Sequence, residues 1–181
     1  MKKLAMVLGG MFFVCCPLIT HAQSGDFRYA PGDMELAFSG SGSSDESLDG
    51  TTLSTEAFFG FFLTESWEAF GRQGFAYADL PGGSQWNAST RVGMDYNFDL
   101  GRGNLARLTP MVGASIGWVY GDEIKDQFIT GPEVGLKYAA TESTFFYGMI
   151  EYEFLFENAS DADDNFDDGR FVYTVGIGYN W

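Results

Sequence analysis

The chain has 181 residues, a formal net charge of −15, 45% hydrophobic residues and 17% aromatic ones. Its length suits one domain. So large an acidic surplus argues against a nucleic-acid partner, which calls for a basic stripe. Beyond the first two dozen residues no stretch is long and apolar enough for a membrane helix.

Lys2 and Lys3 precede an apolar run from Leu4 to Ile19, which ends at Thr20, His21 and Ala22. A positive start, a short apolar middle and small residues at the end predict a secretory signal peptide over 1–22, cleaved after Ala22. A retained anchor fits less well because the run is short for a spanning helix. A lipidated cysteine needs a small residue before it, and Val14 precedes Cys15. Cleavage takes away Cys15, Cys16, the single histidine and two lysines. The remaining 23–181 then form one domain without disulfides. Two lysines and no acids are lost from 10 basic and 25 acidic residues, so its net charge is −17.

After a polar lead, eight stretches show the period-two alternation of β-strands. The first spans Asp33 to Ser41, with Met34, Leu36 and Phe38 on one face. A loop rich in Gly, Ser and Asp follows. The second spans Thr51 to Leu63, with Leu53, Ala57, Phe59, Phe61 and Leu63 against Ser54, Glu56 and Gly60. Thr64 to Ser66 form a tight turn. The third, Trp67 to Tyr77, has the faintest pattern. Asp79 to Gln85 contains Pro-Gly-Gly and predicts a turn. The fourth, Trp86 to Phe98, alternates without a break, and a Gly-containing turn over Asp99 to Arg107 follows it. The fifth runs from Pro110 to Tyr120 and the sixth from Pro132 to Tyr138, separated by a charged loop over Gly121 to Phe128. Thr141 to Ser143 form another tight turn. The seventh carries Phe146, Ile150, Tyr152, Phe154 and Phe156. An acidic loop, Glu157 to Gly169, leads to the last strand, Arg170 to Trp181.

Neighbour-to-neighbour strands, even in number, predict an up-and-down barrel. Connections after strands two and six are tight. Those after one, five and seven are longer and mostly acidic, and that after four is intermediate. Which face is outside does not follow from alternation, since a lipocalin-like barrel also alternates with its apolar set inside. Volume decides first: an eight-stranded barrel is just wide enough for side chains to fill, too narrow for all the rings on the apolar faces. The opposite faces are rich in Gly, Ala and Ser. Position along the strand decides second. Tyr77, Trp86, Trp118, Tyr120, Phe154, Phe156 and Tyr173 gather at the loop end, and Trp67, Tyr96, Phe98, Tyr138, Phe146 and Trp181 at the turn end. Val92, Val112, Ala114, Val134, Ile150, Val175 and Ile177 lie between. Two aromatic girdles around an aliphatic band match a bilayer and its interfaces.

The last strand is the sharpest signal. Tyr173, Val175, Ile177, Tyr179 and Trp181 alternate with Thr174, Gly176, Gly178 and Asn180, and the chain ends on the aromatic residue. This terminus resembles the C-terminal recognition strand of bacterial outer-membrane β-barrels. The whole of 23–181 is similar to the small eight-stranded barrels of the OmpA, OmpX and attachment-invasion type. The resemblance implies an all-β, antiparallel transmembrane barrel with both termini periplasmic. It also implies an outer-membrane location and recognition of Tyr173, Val175, Ile177, Tyr179 and Trp181 by the barrel-assembly machinery. Implied partners are outer-membrane lipid and lipopolysaccharide, and the expected state is a monomer.

The inward face is charged. Glu35, Glu56, Glu68, Asp95, Glu133, Glu151 and Glu153 are expected to point into the lumen with Arg72, Arg91 and Lys137. One reading is a salt-bridged plug, because buried charges persist when paired. The other is a narrow path for ions or small solutes. In the last loop, Asp161, Asp163, Asn165 and Asp167 supply oxygen at every other position, as calcium loops do. Phe166 and Val172 stand where such a loop needs Gly and Glu, so a solvated acidic loop is the plainer reading, with a loose divalent-cation site as the sharper one. Asn87-Ala-Ser and Asn158-Ala-Ser match a glycosylation pattern by chance in a bacterial envelope protein. No cofactor is expected. An enzyme is not expected either: with His21 in the leader, no histidine-assisted nucleophile can be assembled. The sequence therefore points to a structural or surface-interaction barrel, with a narrow pore as the alternative.

Overall fold

A computed structural model describes residues 28–44, 51–80, 83–101, 105–122, 127–156 and 169–181. They form eight antiparallel strands: β1 (Met34–Ser44), β2 (Thr51–Phe62), β3 (Trp67–Leu80), β4 (Gly83–Asn97), β5 (Leu108–Gly121), β6 (Gln127–Ala139), β7 (Thr144–Phe156) and β8 (Arg170–Asn180). Each pairs with its sequence neighbour, and β1 pairs with β8, closing the sheet into a barrel. A circuit along the strand registers runs from Met34 through Phe61, Ala69, Met94, Ala114 and Pro132, then Tyr152, which stands level with Pro132 across the ladder's break, and Phe171. It comes back to β1 level with Ser44, well above its start. That stagger tilts the strands and sets the narrow bore.

Three connections show how sequence makes the hairpins. Thr64-Glu65-Ser66 and Thr141-Glu142-Ser143 form the same turn. Each threonine Oγ1 accepts the N–H of the residue three positions on, at 2.9 Å from Trp67 and 2.9 Å from Thr144. The hydroxyl thereby replaces a backbone partner at the point where the chain reverses. The predicted turn over Asp79 to Gln85 is shorter than expected. β3 runs on to Leu80 and β4 starts at Gly83, with the two in register. The β2 residues Thr51–Ser54 supply ladder partners for Ala76–Asp79 and hold that extension straight. Gly83, at φ 147°, takes a conformation closed to most L-residues.

β6 also starts early, at Gln127 rather than Pro132. Pro132 lacks an N–H, and the β6–β7 ladder skips it and Gly131. The β5 edge bridges the break by pairing Ile129 with Gly117 and Pro132 with Ala114. At the chain end, Trp181 N–H donates to the Met34 carbonyl at 3.0 Å, and Met34 N–H returns a bond of 3.0 Å.

The apolar face is outside. Val92, Val112, Ile116, Val134, Ile150, Val175 and Ile177 are all exposed. Rings group at both rims. Trp67 packs edge-on to Tyr96 and Tyr96 to Phe98 at the turn end, with centroids 5.2 and 4.8 Å apart. Phe75 stacks with Trp86, and Tyr152 meets Phe154 and Phe171, at the loop end. A soluble barrel has no reason to expose an aliphatic band between two rings of aromatics, while hydrocarbon between two interfaces does.

Candidate functional site

All ten predicted lumen residues point inward. Glu35, Glu68, Arg72, Arg91, Asp95, Glu133, Lys137, Glu151 and Glu153 are buried, and Glu56 is half-buried near the loop end. The ladder sets like charges side by side on the wall: Arg72 is in register with Arg91, and Glu133 with Glu151. Like charges facing each other across a ladder repel. The arrangement survives because the arginines reach across the lumen to the acids on the far wall.

Arg72 pairs with Glu133 and, at 3.4 Å, with Glu151. Arg91 donates to Glu151 Oε2 at 2.6 Å and also pairs with Glu153. Ser115 Oγ donates to Glu151 Oε1 at 2.6 Å, and Arg170 Nε to Glu153 Oε2 at 2.6 Å. Asp95 lies beside the Glu133 carboxyl. Strands β3 to β8 are thus tied together through one charged layer.

A second layer lies nearer the turns. Lys137 Nζ donates to Glu35 Oε2 at 2.5 Å and to Glu68 Oε2 at 2.8 Å. Asn97 Nδ2 donates to Glu68 Oε2 at 3.1 Å. The ammonium sits 5.4–5.8 Å from the ring centroids of Tyr29, Phe58, Phe62 and Phe145. Tyr29, ahead of β1, stacks on Phe62 with centroids 3.9 Å apart and rings 12° from parallel. It closes the lumen at the turn end. Burial raises its phenol pKa well above 10.0, and the nearby Glu35 and Glu68 charges add to that shift.

The inward faces are not mainly small residues, as their composition suggested. Phe58, Phe62, Phe70, Met111, Phe145, Tyr147 and Met149 are buried there as well. Glycine makes room for them. Phe70 is in register with Gly93, Met111 with Gly135, Tyr147 with Gly176, and Phe145 with Gly178. A Cβ at those glycines would come within 2.2–2.4 Å of the neighbouring side chain. Asp95 lies over Gly113 in the same way. In each of these cases the large group leans onto the following strand.

Sequence reading missed Tyr29, Asn97, Ser115 and these rings. Asn97, Ser115 and the rings share strand parity with the charged residues, a signal that was there to read. Tyr29 lies outside the alternation and gave no such signal. On β8, Tyr173, Val175, Ile177 and Tyr179 face outward as expected, and Trp181 stacks on Tyr179 with centroids 6.1 Å apart. Asp161, Asp163, Asn165 and Asp167, and the leader over 1–22, lie outside the described residues. Among the described residues no group of three His, Cys, Asp or Glu side chains is placed to hold a metal.

Beyond the two charged layers the lumen widens toward the loop end into a chamber of about 480 Å³. Its lining includes Ser39, Ser54, Glu56, Ser89, Arg91, Glu153 and Arg170. The chain matches no protein-family model and no curated protein. Among solved structures it is similar to the outer membrane protein OprG from Pseudomonas aeruginosa, with TM-score 0.59, 13% identity, and 87% of this chain and 99% of that one covered. The fold is that of a small outer-membrane β-barrel. The N-terminal barrel domain of Pseudomonas aeruginosa OprF (TM-score 0.51, 16% identity, 84% and 98% covered) shares it. So does Neisserial surface protein A (TM-score 0.50, 14% identity, 82% and 94% covered). These neighbours are outer-membrane barrels rather than enzyme folds. At such identities the likeness concerns the backbone path and does not extend to the charged layers or the loops.

Proposed function

We propose that this protein is an integral barrel of the bacterial outer membrane whose lumen is closed, and whose role is structural or directed at the cell surface rather than catalytic or conductive. The supporting observation is the pair of charged layers. Arg72 and Arg91 reach across to Glu133, Glu151 and Glu153, and below them Lys137 bridges Glu35 and Glu68 under a stack of Tyr29 on Phe62. Paired charges in a low-dielectric bore act as crosslinks, and an ion passing through must break them.

In this reading both termini are periplasmic, with the turns at that side and the longer connections outside. The outward residues of β8 serve as the signal read by the assembly machinery. Lipopolysaccharide and lipid surround a monomeric barrel, and the acidic loop bearing Asp161, Asp163, Asn165 and Asp167 meets cations at the surface. Planar-bilayer recording of purified protein tests the closed lumen. The expected trace has no steady single-channel openings. Reproducible openings of the unmodified protein, lost on Arg91→Ala or Glu133→Gln, would establish a pore instead.

A further inference from the structure

One row of the ladder carries four inward carboxyls. Glu68, Asp95, Gly113, Glu133 and Glu151 are in register, each with the next, across β3 to β7. All four acids are buried. Three of them have a cation: Lys137 holds Glu68, and Arg72 holds Glu133 and Glu151. Asp95 is 0% exposed, and among the described residues neither of its oxygens has a hydrogen-bond partner and no cation is paired with it. Six buried carboxyls in the lumen face three buried cations, Arg72, Arg91 and Lys137, so acids stay in excess even with Arg170 added at the rim. A buried carboxylate without a partner does not persist; it is neutralised instead.

The surroundings of Asp95 select what neutralises it. The groups whose charges act on it are Glu68 and Arg72 from β3 and Glu133 and Lys137 from β6. Both cations are bonded to other carboxylates, and β5 presents Gly113 at this row. Asp95 Oδ1 lies over Gly113, where a Cβ would stand, and Glu133 is on the far side of that glycine. Arg72 binds Glu133 Oε1, while Glu133 Oε2 is buried and also has no hydrogen-bond partner. Among the described residues no three acids are arranged to hold a metal ion. Two bare carboxyl oxygens that face each other are satisfied together by one proton, because two carboxylates sharing a site do not both stay ionised.

We propose that Asp95 keeps its proton in the folded barrel and donates it to Glu133 Oε2, forming a carboxyl–carboxylate hydrogen bond across Gly113 while Arg72 holds the ionised partner. The ligand of this site is a proton. The bond joins β4 to β6 over a strand that offers no side chain there. Unfolded, Asp95 loses its proton near pH 4. The stabilisation is therefore complete below about pH 4 and declines as pH rises from there through the value at which the folded pair lets go. This goes beyond the closed-lumen reading and does not need it, since a conducting barrel is able to hold the same proton in its wall.

Infrared spectroscopy tests this on the protein purified from outer membranes and refolded into phosphatidylcholine vesicles. A protonated carboxyl has a C=O band separate from those of carboxylates. Heavy-carbon labelling of the aspartate carboxyls should shift such a band, with the intensity of a single carboxyl, at about pH 7, where an aspartate in water is ionised. This arm needs no variant to fold. Asp95→Asn, which keeps the size and a donor for Glu133, should abolish the band. The urea midpoint of the unmodified barrel should also fall relative to that of Asp95→Asn as pH rises from about 5 to about 8. No isotope shift, or a shifted band that persists in Asp95→Asn, would overturn the proposal. So would a constant difference between the two midpoints across that range. A missing band with a midpoint that rises when sodium replaces choline would overturn it in favour of a bound metal cation.

Discussion

Replacing Lys137 with methionine removes the cation that, among the described residues, holds two buried carboxylates. Lys137 is almost fully buried and donates to Glu35 at 2.5 Å and to Glu68 at 2.8 Å. Methionine nearly matches its volume and keeps contact with Phe58, Phe62 and Phe145, so the loss is electrostatic rather than steric. Removing one partner of a buried ion pair costs about 3–5 kcal/mol, because the remaining charge is left without compensation. Here two carboxylates are stranded, which places the expected cost toward the upper end. The triple variant Lys137→Met, Glu35→Gln, Glu68→Gln should recover most of that loss, to within about 1 kcal/mol of the unmodified protein, since replacing a whole buried ionic group is often near neutral. Urea unfolding in lipid vesicles, followed by tryptophan fluorescence and by the gel mobility of unboiled samples, measures both. If Lys137→Met stays within about 1 kcal/mol of the unmodified protein, the turn-end layer is not an ion-paired unit. A triple variant no better than the single one would show that the carboxylates are not what lysine compensates.

Three further outcomes follow from the wall, the glycines and Tyr29. Val134→Arg and Ile177→Arg, both exposed on the aliphatic band, should each cost about 2–4 kcal/mol of stability in vesicles, the range for arginine at mid-membrane; no loss would mean these faces do not meet hydrocarbon. Gly93→Val places a Cβ 2.3 Å from Phe70 and 2.4 Å from the Ala114 carbonyl and should cost about 1–3 kcal/mol or more. Gly71→Ala, whose nearest neighbour is 3.9 Å away, should be close to neutral in the same assay. Burial raises the Tyr29 phenol above 10.0 in the folded barrel, so it favours folding below that pH and ceases to do so as pH rises through the folded value. In an alkaline absorbance titration, Tyr29→Phe should remove a late phenolate and leave the earlier ones, and it should reduce the loss of stability above pH 10; a difference spectrum placing Tyr29 among the earliest to ionise would contradict its place against Phe62.

Much of the barrel was readable from the chain, and for a physical reason. A strand with lipid on one side and a packed lumen on the other needs opposite chemistry at alternate residues, so Trp86 to Phe98 announces its faces without reference to any neighbour. The charges obey the same parity: nine of the ten are buried and Glu56 is half-buried. Hairpin edges were less legible. β6 begins at Gln127 because β5 offers it partners, while a sequence reading stops at Pro132, where the N–H is missing. The inward rings were overlooked because composition counts the many glycines on that face. It does not reveal that Gly93, Gly135, Gly176 and Gly178 are each the space into which a neighbour's side chain leans.

Alternation, girdles and turn residues are local properties, written in consecutive residues, and by themselves they determined an eight-stranded wall with apolar groups outside and charges within. Partnership across the bore is not local. Arg72 meets Glu133 and Glu151, and Lys137 meets Glu35 and Glu68, only once the sheet has closed with a particular stagger. The same closure leaves β1 and β8 joined over just part of their length. Which charges meet, and how far β1 and β8 pair, were decided by tertiary structure, because each depends on the register of strands far apart in the chain.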